Sequence, residues 1–234
     1  MLECLKEGGR IVQSELIEPG LPRSLPYRVY VPTCAVERAG SLPALFLLHG
    51  LTFTDSQWDD LGIDELAEAW IASGRAQPFL IVMPWERRGL DFEAAITEHL
   101  VPYIEQVYGA TLDRGRRAIG GISRGGGWAL RIGLKHPQLF GAIGLHSPAV
   151  ITPNLFDIPG WIEVIPPKDR PAIWIDMGDR DTLRFALLDL TDLFDELGAL
   201  YLRHSYPGEH NTPYWSAHVA DYLNWYVANW EGGG

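Results

Sequence analysis

The chain has 234 residues, 47% of them hydrophobic, and carries a formal charge of −11 at pH 7. That length suits one domain over residues 1–231, with a 232–234 glycine tail expected to be disordered. The acidic balance disfavours nucleic acid, no apolar run nears the ~20 residues of a membrane span, and Cys4 and Cys34 are too few for a disulfide framework. No Cys/His cluster has metal-ligand spacing, so neither a metal nor a cofactor is expected. The first residues contain no basic stretch leading into a long apolar one, so a cytoplasmic protein without a signal peptide is the expectation. A homo-oligomer is left open.

In chain order, residues 10–18 and 25–32 read as strands separated by Pro19-Gly20-Leu21-Pro22, a natural start for an antiparallel meander. Residues 34–43 form a polar loop. The unbroken apolar run 44–48 is what a strand buried on both faces of a parallel sheet requires, and it ends in His49-Gly50-Leu51-Thr52. Ile63, Leu66, Trp70 and Ile71 recur at helical spacing, with Gly74 placed to stop the helix. A second buried strand spans 79–83 and closes at Pro84. Ile96, Leu100, Tyr103, Ile104 and Val107 mark a further helix ending near Gly109. Pro102 inside it implies either a start near Glu98 or a kink.

Residues 117–122 form an apolar strand that runs into Ser123, and a helical segment follows over 128–135. Strand 141–145 is broken by His146-Ser147-Pro148. The proline-rich segment 152–170 has no clear period and reads as a long surface excursion. Strand 172–177 ends at Gly178-Asp179-Arg180-Asp181. Leu183, Leu187, Leu190, Phe194 and Leu197 then make a helical stripe closed by Gly198. The last strand, 200–206, leads through Pro207-Gly208-Glu209 to His210, and Trp215, Val219, Tyr222, Leu223, Tyr226 and Trp230 trace a closing helix. Repeated strand–helix units after two antiparallel strands predict a doubly wound, mostly parallel α/β sheet. Ligands in such sheets bind beyond the carboxyl ends of the strands, where Gly50, Ser123, Asp181 and His210 all fall.

Gly121-Ile122-Ser123-Arg124-Gly125 is a G-x-S-x-G turn between strand and helix, the setting of a nucleophilic serine. The two glycines remove side chains that would collide with strand or helix, and the following helix offers free N–H groups to developing negative charge. A serine hydroxyl needs a base, and the base needs a carboxylate to fix its tautomer. His210 is the expected base. His204 and His218 suit packed or surface positions, as do His99 and His136. Asp181 is the preferred acid because it stands where the loop has cleared the sheet, with Asp179 as the alternative and Asp176 inside the strand. For the oxyanion hole the backbone N–H of Arg124 is joined by that of Leu51, chosen over Thr52. His146 reads either as a wall of the site or as a buried hydrogen-bonded histidine. Trp58, Trp85, Trp128, Trp161 and Trp215 fall near the same loops and are candidates to stack on a sugar or phenolic acid, or else core residues. Arg87 and Arg88 follow a strand end and read as a solvated pair or as carboxylate ligands.

Four stretches together resemble a known family: Leu48-His49-Gly50-Leu51-Thr52 with Trp58; Gly121-Ile122-Ser123-Arg124-Gly125-Gly126; Asp176-Met177-Gly178-Asp179-Arg180-Asp181; and Gly208-Glu209-His210 with Tyr214-Trp215. They are similar to the putative-esterase family of α/β-hydrolases, which includes feruloyl and acetylxylan esterases, esterase D (S-formylglutathione hydrolase), enterochelin esterases and mycolyltransferases. The resemblance runs from about residue 45 to 215. It implies an α/β-hydrolase fold, Ser123 as nucleophile, Asp181 as acid and His210 as base, and a small-molecule ester substrate of short-chain, acetyl-sugar or feruloyl type. Arg124 departs from the methionine or leucine of many relatives, which gives its side chain a part in shaping the acyl pocket. The 152–170 segment is short for a large cap domain, implying an open site. Leu51-Thr52-Phe53-Thr54 resembles the S-formylglutathione hydrolase branch, although that branch's usual run around the histidine is not found. Thioesterase or acyltransferase chemistry is the alternative, and a non-catalytic binding protein a remote one.

Overall fold

The strand Ala44–Leu48 displays the rule by which the molecule is built. Successive side chains of a strand point to opposite faces. Ala44, Phe46 and Leu48 accordingly enter one apolar cluster, while Leu45 and Leu47 enter the other. All five are buried, which explains the unbroken apolar run. The structure is a computed structural model that describes residues 8–33, 40–150 and 152–231. Cys4, Cys34, most of the expected 34–43 loop and the 232–234 tail lie outside the described residues.

Eight strands form one sheet: β1 (Arg10–Leu16), β2 (Leu25–Val31), β3 (Ala44–Leu48), β4 (Leu80–Pro84), β5 (Arg117–Ile122), β6 (Ala142–His146), β7 (Ala172–Gly178) and β8 (Tyr201–Tyr206), in the order β1-β2-β4-β3-β5-β6-β7-β8. β2 is antiparallel to both β1 and β4, and the strands from β4 to β8 run parallel. The helices are α1 (Gln57–Asp60), α2 (Ile63–Ala72), α3 (Phe92–Ala94), α4 (Val101–Tyr108), α5 (Arg124–Lys135), α6 (Thr152–Glu163), α7 (Arg184–Glu196) and α8 (Thr212–Glu231). Apolar residues of α2 and α8 pack on the face of Leu45 and Leu47; those of α3 to α7 pack on the other. The sheet is therefore covered on both sides, and its carboxyl edge is left for loops. Among the described residues no helix is long and apolar enough to cross a membrane.

Two segments differ from expectation. The helix around Pro102 begins earlier, at Phe92, with Asp91 Oδ1 accepting the Ala94 N–H at 3.1 Å as its cap. The chain stays helical to Tyr108 through a π-helical stretch, Ala95–Leu100, whose wider turn lets the Val101 N–H reach Ile96 C=O. Pro102 has no N–H to close an ordinary turn, and the stretched turn just before it takes up the mismatch. The expected surface excursion at 152–170 is instead α6 followed by a 3₁₀ turn, Pro167–Asp169. Ile158, Ile162 and Ile165 bury themselves in the α5–α7 layer, a helical spacing that the four prolines of the segment obscure. Pro153 falls in the first turn, where a missing N–H is no loss.

α3 and α5 are tied by Glu93, which meets Arg131 at 2.6 Å, Lys135 at 2.6 Å and His136 at 3.0 Å. Burial would push this carboxyl up, but Lys135, Arg131 and His136 outweigh it and bring it down to about 2.

Candidate active site

Ser123 stands between β5 and α5 with φ 55° and ψ −118°, a backbone region that costs on the order of 1–3 kcal/mol and must be held from outside. Three hydrogen bonds hold it. Its N–H donates to His146 C=O at 2.9 Å, and its own C=O accepts from Gly127 N–H at 3.1 Å and Ala149 N–H at 2.8 Å. The flanking glycines are sterically required. A Cβ on Gly121 would sit 2.3 Å from the Gly125 carbonyl carbon, and one on Gly125 would sit 2.2 Å from the Leu48 carbonyl oxygen. Neither obstacle is a side chain that could swing away.

The loops after β7 and β8 bring the other groups to Ser123. His210 Nδ1 lies 2.8 Å from Asp181 Oδ2, and His210 Nε2 lies 2.9 Å from Ser123 Oγ. Asp181 is fully buried, and its Oδ1 accepts the Leu183 N–H at 2.8 Å. Burial alone would raise this carboxyl, but the bonds from His210 and Leu183 overcome it and hold the acid below the usual carboxylate range. An ionised Asp181 is acceptor-only, so the proton of the neutral imidazole sits on Nδ1 and Nε2 is free to accept from the Ser123 hydroxyl. Asp179 does something else: its Oδ1 accepts the Gly208 N–H at 2.9 Å. With Asp179 N–H to Tyr206 C=O and Arg180 N–H to Gly208 C=O, it stitches the β7 and β8 loops together.

The loop after β3 passes close by, a Cβ on Gly50 lying 3.7 Å from Ser123 Cβ. Among the described residues the Leu51 and Arg124 N–H groups have no hydrogen-bond acceptor. The Leu51 N–H shares a peptide plane with the Gly50 C=O, which accepts from His49 Nδ1 at 2.7 Å. Holding that oxygen turns the N–H the opposite way. His49 Nε2 accepts the Glu86 N–H at 2.9 Å, which fixes the tautomer. Burial keeps this imidazole's pKa below the ordinary value, against the pull of the Gly50 carbonyl, so it stays neutral. Glu86 also grips Arg124 through both carboxylate oxygens, with Arg124 Nε 2.7 Å from Oε2. Sequence reasoning missed Glu86, whose only signal is its place two residues beyond the end of β4 at the same sheet edge.

Several expected site residues stand elsewhere. His146 is not a wall of the site but is wholly buried, bonded to Asp176 and Tyr226. A histidine ending a strand reads alike at the rim and under it; only its partners decide. Trp58 is 1% exposed and donates its indole N–H to Leu48 C=O at 3.1 Å, so it cannot offer a ring face to substrate. Trp215 is buried too, edge-on to His210 with ring centres 5.2 Å apart and against Phe53 at 6.2 Å; it backs the imidazole. Trp128 packs on Phe92, and Trp161 lines a cavity of about 600 Å³ with Arg114, Leu134 and Pro137 near the amino end of β5, away from Ser123. Trp85 is half-buried beside Glu86 with the Arg87 guanidinium 4.7 Å over its ring. The apolar groups exposed on the β3 loop are Leu51 and Phe53.

A family model described as "Putative esterase" matches residues 19–226. The chain is 28% identical over 152 residues to an endo-1,4-beta-xylanase/feruloyl esterase of Xylanibacter ruminicola, a match covering 59% of this chain and 20% of that protein. The chain thus spans about a fifth of the length of that curated relative. In fold it is similar to a ferulic acid esterase, with a TM-score of 0.82 at 23% identity over 95% of this chain and 98% of the other. It is also similar to an S-formylglutathione hydrolase from Staphylococcus aureus, with a TM-score of 0.76 at 19% identity over 94% and 98% of the two chains. These likenesses show the α/β-hydrolase fold.

Proposed function

Because the chain belongs to the putative-esterase family, we propose that it is a serine carboxylic ester hydrolase working through Ser123, His210 and Asp181. The observation that carries this reading is the single imidazole bridging a buried carboxylate at 2.8 Å and a strained serine hydroxyl at 2.9 Å. In the reaction Ser123 Oγ attacks the ester carbonyl while His210 Nε2 takes its proton. The Leu51 and Arg124 N–H groups receive the tetrahedral oxyanion. Asp181 stabilises the imidazolium, which then protonates the leaving alcohol. Water enters by the same base and releases the acid from Ser123.

Esters of a feruloyl, acetyl-sugar or short-chain acid fit best, supported by the 28% identity to a protein named as a feruloyl esterase. A thioester of the S-formylglutathione kind is the second reading, favoured by the Leu51-Thr52-Phe53-Thr54 loop. A fluorophosphonate probe is expected to label the wild type once, at Ser123, and to leave Ser123→Ala unlabelled. A substrate panel of p-nitrophenyl acetate, methyl ferulate, acetylated xylose and S-formylglutathione then ranks the acyl and leaving groups. Absence of labelling would replace the esterase with a non-catalytic binding protein, and preferred turnover of the thioester would reverse the order of the two readings.

A further inference from the structure

Beneath the proposed catalytic groups lies a second His–Asp pair that the reaction does not use. Asp176 is wholly buried near the end of β7, yet its carboxylate is fully engaged. Oδ1 accepts from His146 Nδ1 at 2.7 Å and Trp174 Nε1 at 3.2 Å; Oδ2 accepts from Tyr214 OH at 2.9 Å and Tyr222 OH at 2.8 Å. Tyr226 OH completes the set by donating to His146 Nε2 at 2.9 Å. Each polar atom of this buried set has a hydrogen-bond partner within it. Burial first, and then the charge of Asp176, raise the Tyr214 and Tyr222 hydroxyls well above the ordinary tyrosine range, so both remain donors.

A buried charge of this kind is weak evidence for stability, because apolar packing does as well or better, but it can fix one arrangement against others. The arrangement it fixes touches each proposed catalytic segment. His146, whose ring is clamped by Asp176, supplies the C=O that receives the Ser123 N–H. The Asp176 C=O receives the Ser147 N–H at 2.8 Å, and Asp181 is five residues further along the same strand and loop. Tyr214 is four residues beyond His210, with its N–H 3.1 Å from Asn211 Oδ1, and its ring lies where a Cβ on Gly208 would stand 2.5 Å from Cδ2. The turn 208–214 that carries His210 is therefore pinned at its far end by one phenol on one carboxylate oxygen.

We infer that Asp176, through Tyr214, is a positioning residue for the base His210; the inference rests on His210 being the base. Tyr222 provides the internal control, since it donates to the same Oδ2 from two turns further along α8 and away from the His210 turn. Tyr214→Phe and Tyr222→Phe each remove one hydroxyl and keep the ring. Both are expected to melt a few degrees below wild type and by similar amounts. Only Tyr214→Phe is expected to lower kcat on p-nitrophenyl acetate, by roughly tenfold or more, at unchanged KM. Its rate of fluorophosphonate labelling should fall by the same factor. Equal kcat losses in the two variants, or wild-type kcat in Tyr214→Phe, would overturn the inference alone. A wild type inert to the probe would overturn the hydrolase reading, and this inference with it.

Discussion

Asp181→Asn tests the proposed acid most sharply, because Asp181 uses both of its oxygens. Oδ2 faces His210 Nδ1 at 2.8 Å and Oδ1 accepts the Leu183 N–H at 2.8 Å. Asparagine offers one oxygen. It will keep that oxygen on Leu183, since an amide –NH₂ turned toward the Leu183 N–H would set two buried donors against each other at about 1–3 kcal/mol. The –NH₂ then faces His210, demands a lone pair on Nδ1, and drives the imidazole proton to Nε2. In that tautomer Nε2 cannot accept the Ser123 proton. Regaining the productive form costs the same ~1–3 kcal/mol, and the imidazolium loses a charge-assisted hydrogen bond of about 1.5–3 kcal/mol. The expected loss is about 2.5–6 kcal/mol, or roughly 10²–10⁴-fold in kcat. Asp179→Asn retains the oxygen that accepts the Gly208 N–H at 2.9 Å and should change kcat by less than about threefold. Initial rates on p-nitrophenyl acetate measure both, with far-UV circular dichroism as the check on folding. Asp181→Asn within fivefold of wild type, or Asp179→Asn the more impaired, would refute the reasoning.

His49→Ala leaves the Gly50 C=O held by the Phe53 N–H at 3.1 Å alone, loosens the Gly50–Leu51 peptide, and should lower kcat by about 10–100-fold while KM stays put, because an oxyanion exists only beyond the ground state; a raised KM with normal kcat would assign His49 to substrate binding instead. Glu93→Gln should cost about 1–2 kcal/mol at pH 7, discounted for the partial exposure of its partners, and lower Tm by a few degrees. The folded-state pKa of Glu93 lies below its ordinary value, so its contribution is complete above about 4.5 and fades as pH falls toward about 2. Melting curves of the two proteins should therefore converge over that interval; a constant gap would mean that the loss is one of packing.

The strands were legible because most are covered on both sides, which forces runs such as Ala44-Leu45-Phe46-Leu47-Leu48 and shows in sequence without knowledge of neighbours. The G-x-S-x-G turn was legible for a related reason: at Gly125 a backbone carbonyl occupies the space of a Cβ, and only one residue type fits. α6 was hidden because prolines signal interruption more loudly than Ile158, Ile162 and Ile165 signal a face. For His146 and Trp58 the sequence left a place at the site and a place in the core both open, because proximity in sequence to a strand end does not say above or below the sheet. The partners that decide it for His146, Asp176 and Tyr226, are 30 and 80 residues away. Glu86 has no motif at all; its role follows from what β4 and α5 bring side by side.

The sheet order distributes the proposed reactive groups unevenly. Ser123 rides on β5, flanked by β3 and β6, whereas Asp181 and His210 follow β7 and β8, the last two strands at one edge, and β8 has a neighbour on one side only. Peripheral strands open more readily than interior ones. Warming or mild denaturant would thus disarm the molecule from one flank, withdrawing the proton acceptor while the hydroxyl still sits on intact scaffolding. Durability of turnover and durability of the fold are then separate properties, and reinforcing the exposed flank at β8 would extend the first without touching the chemistry.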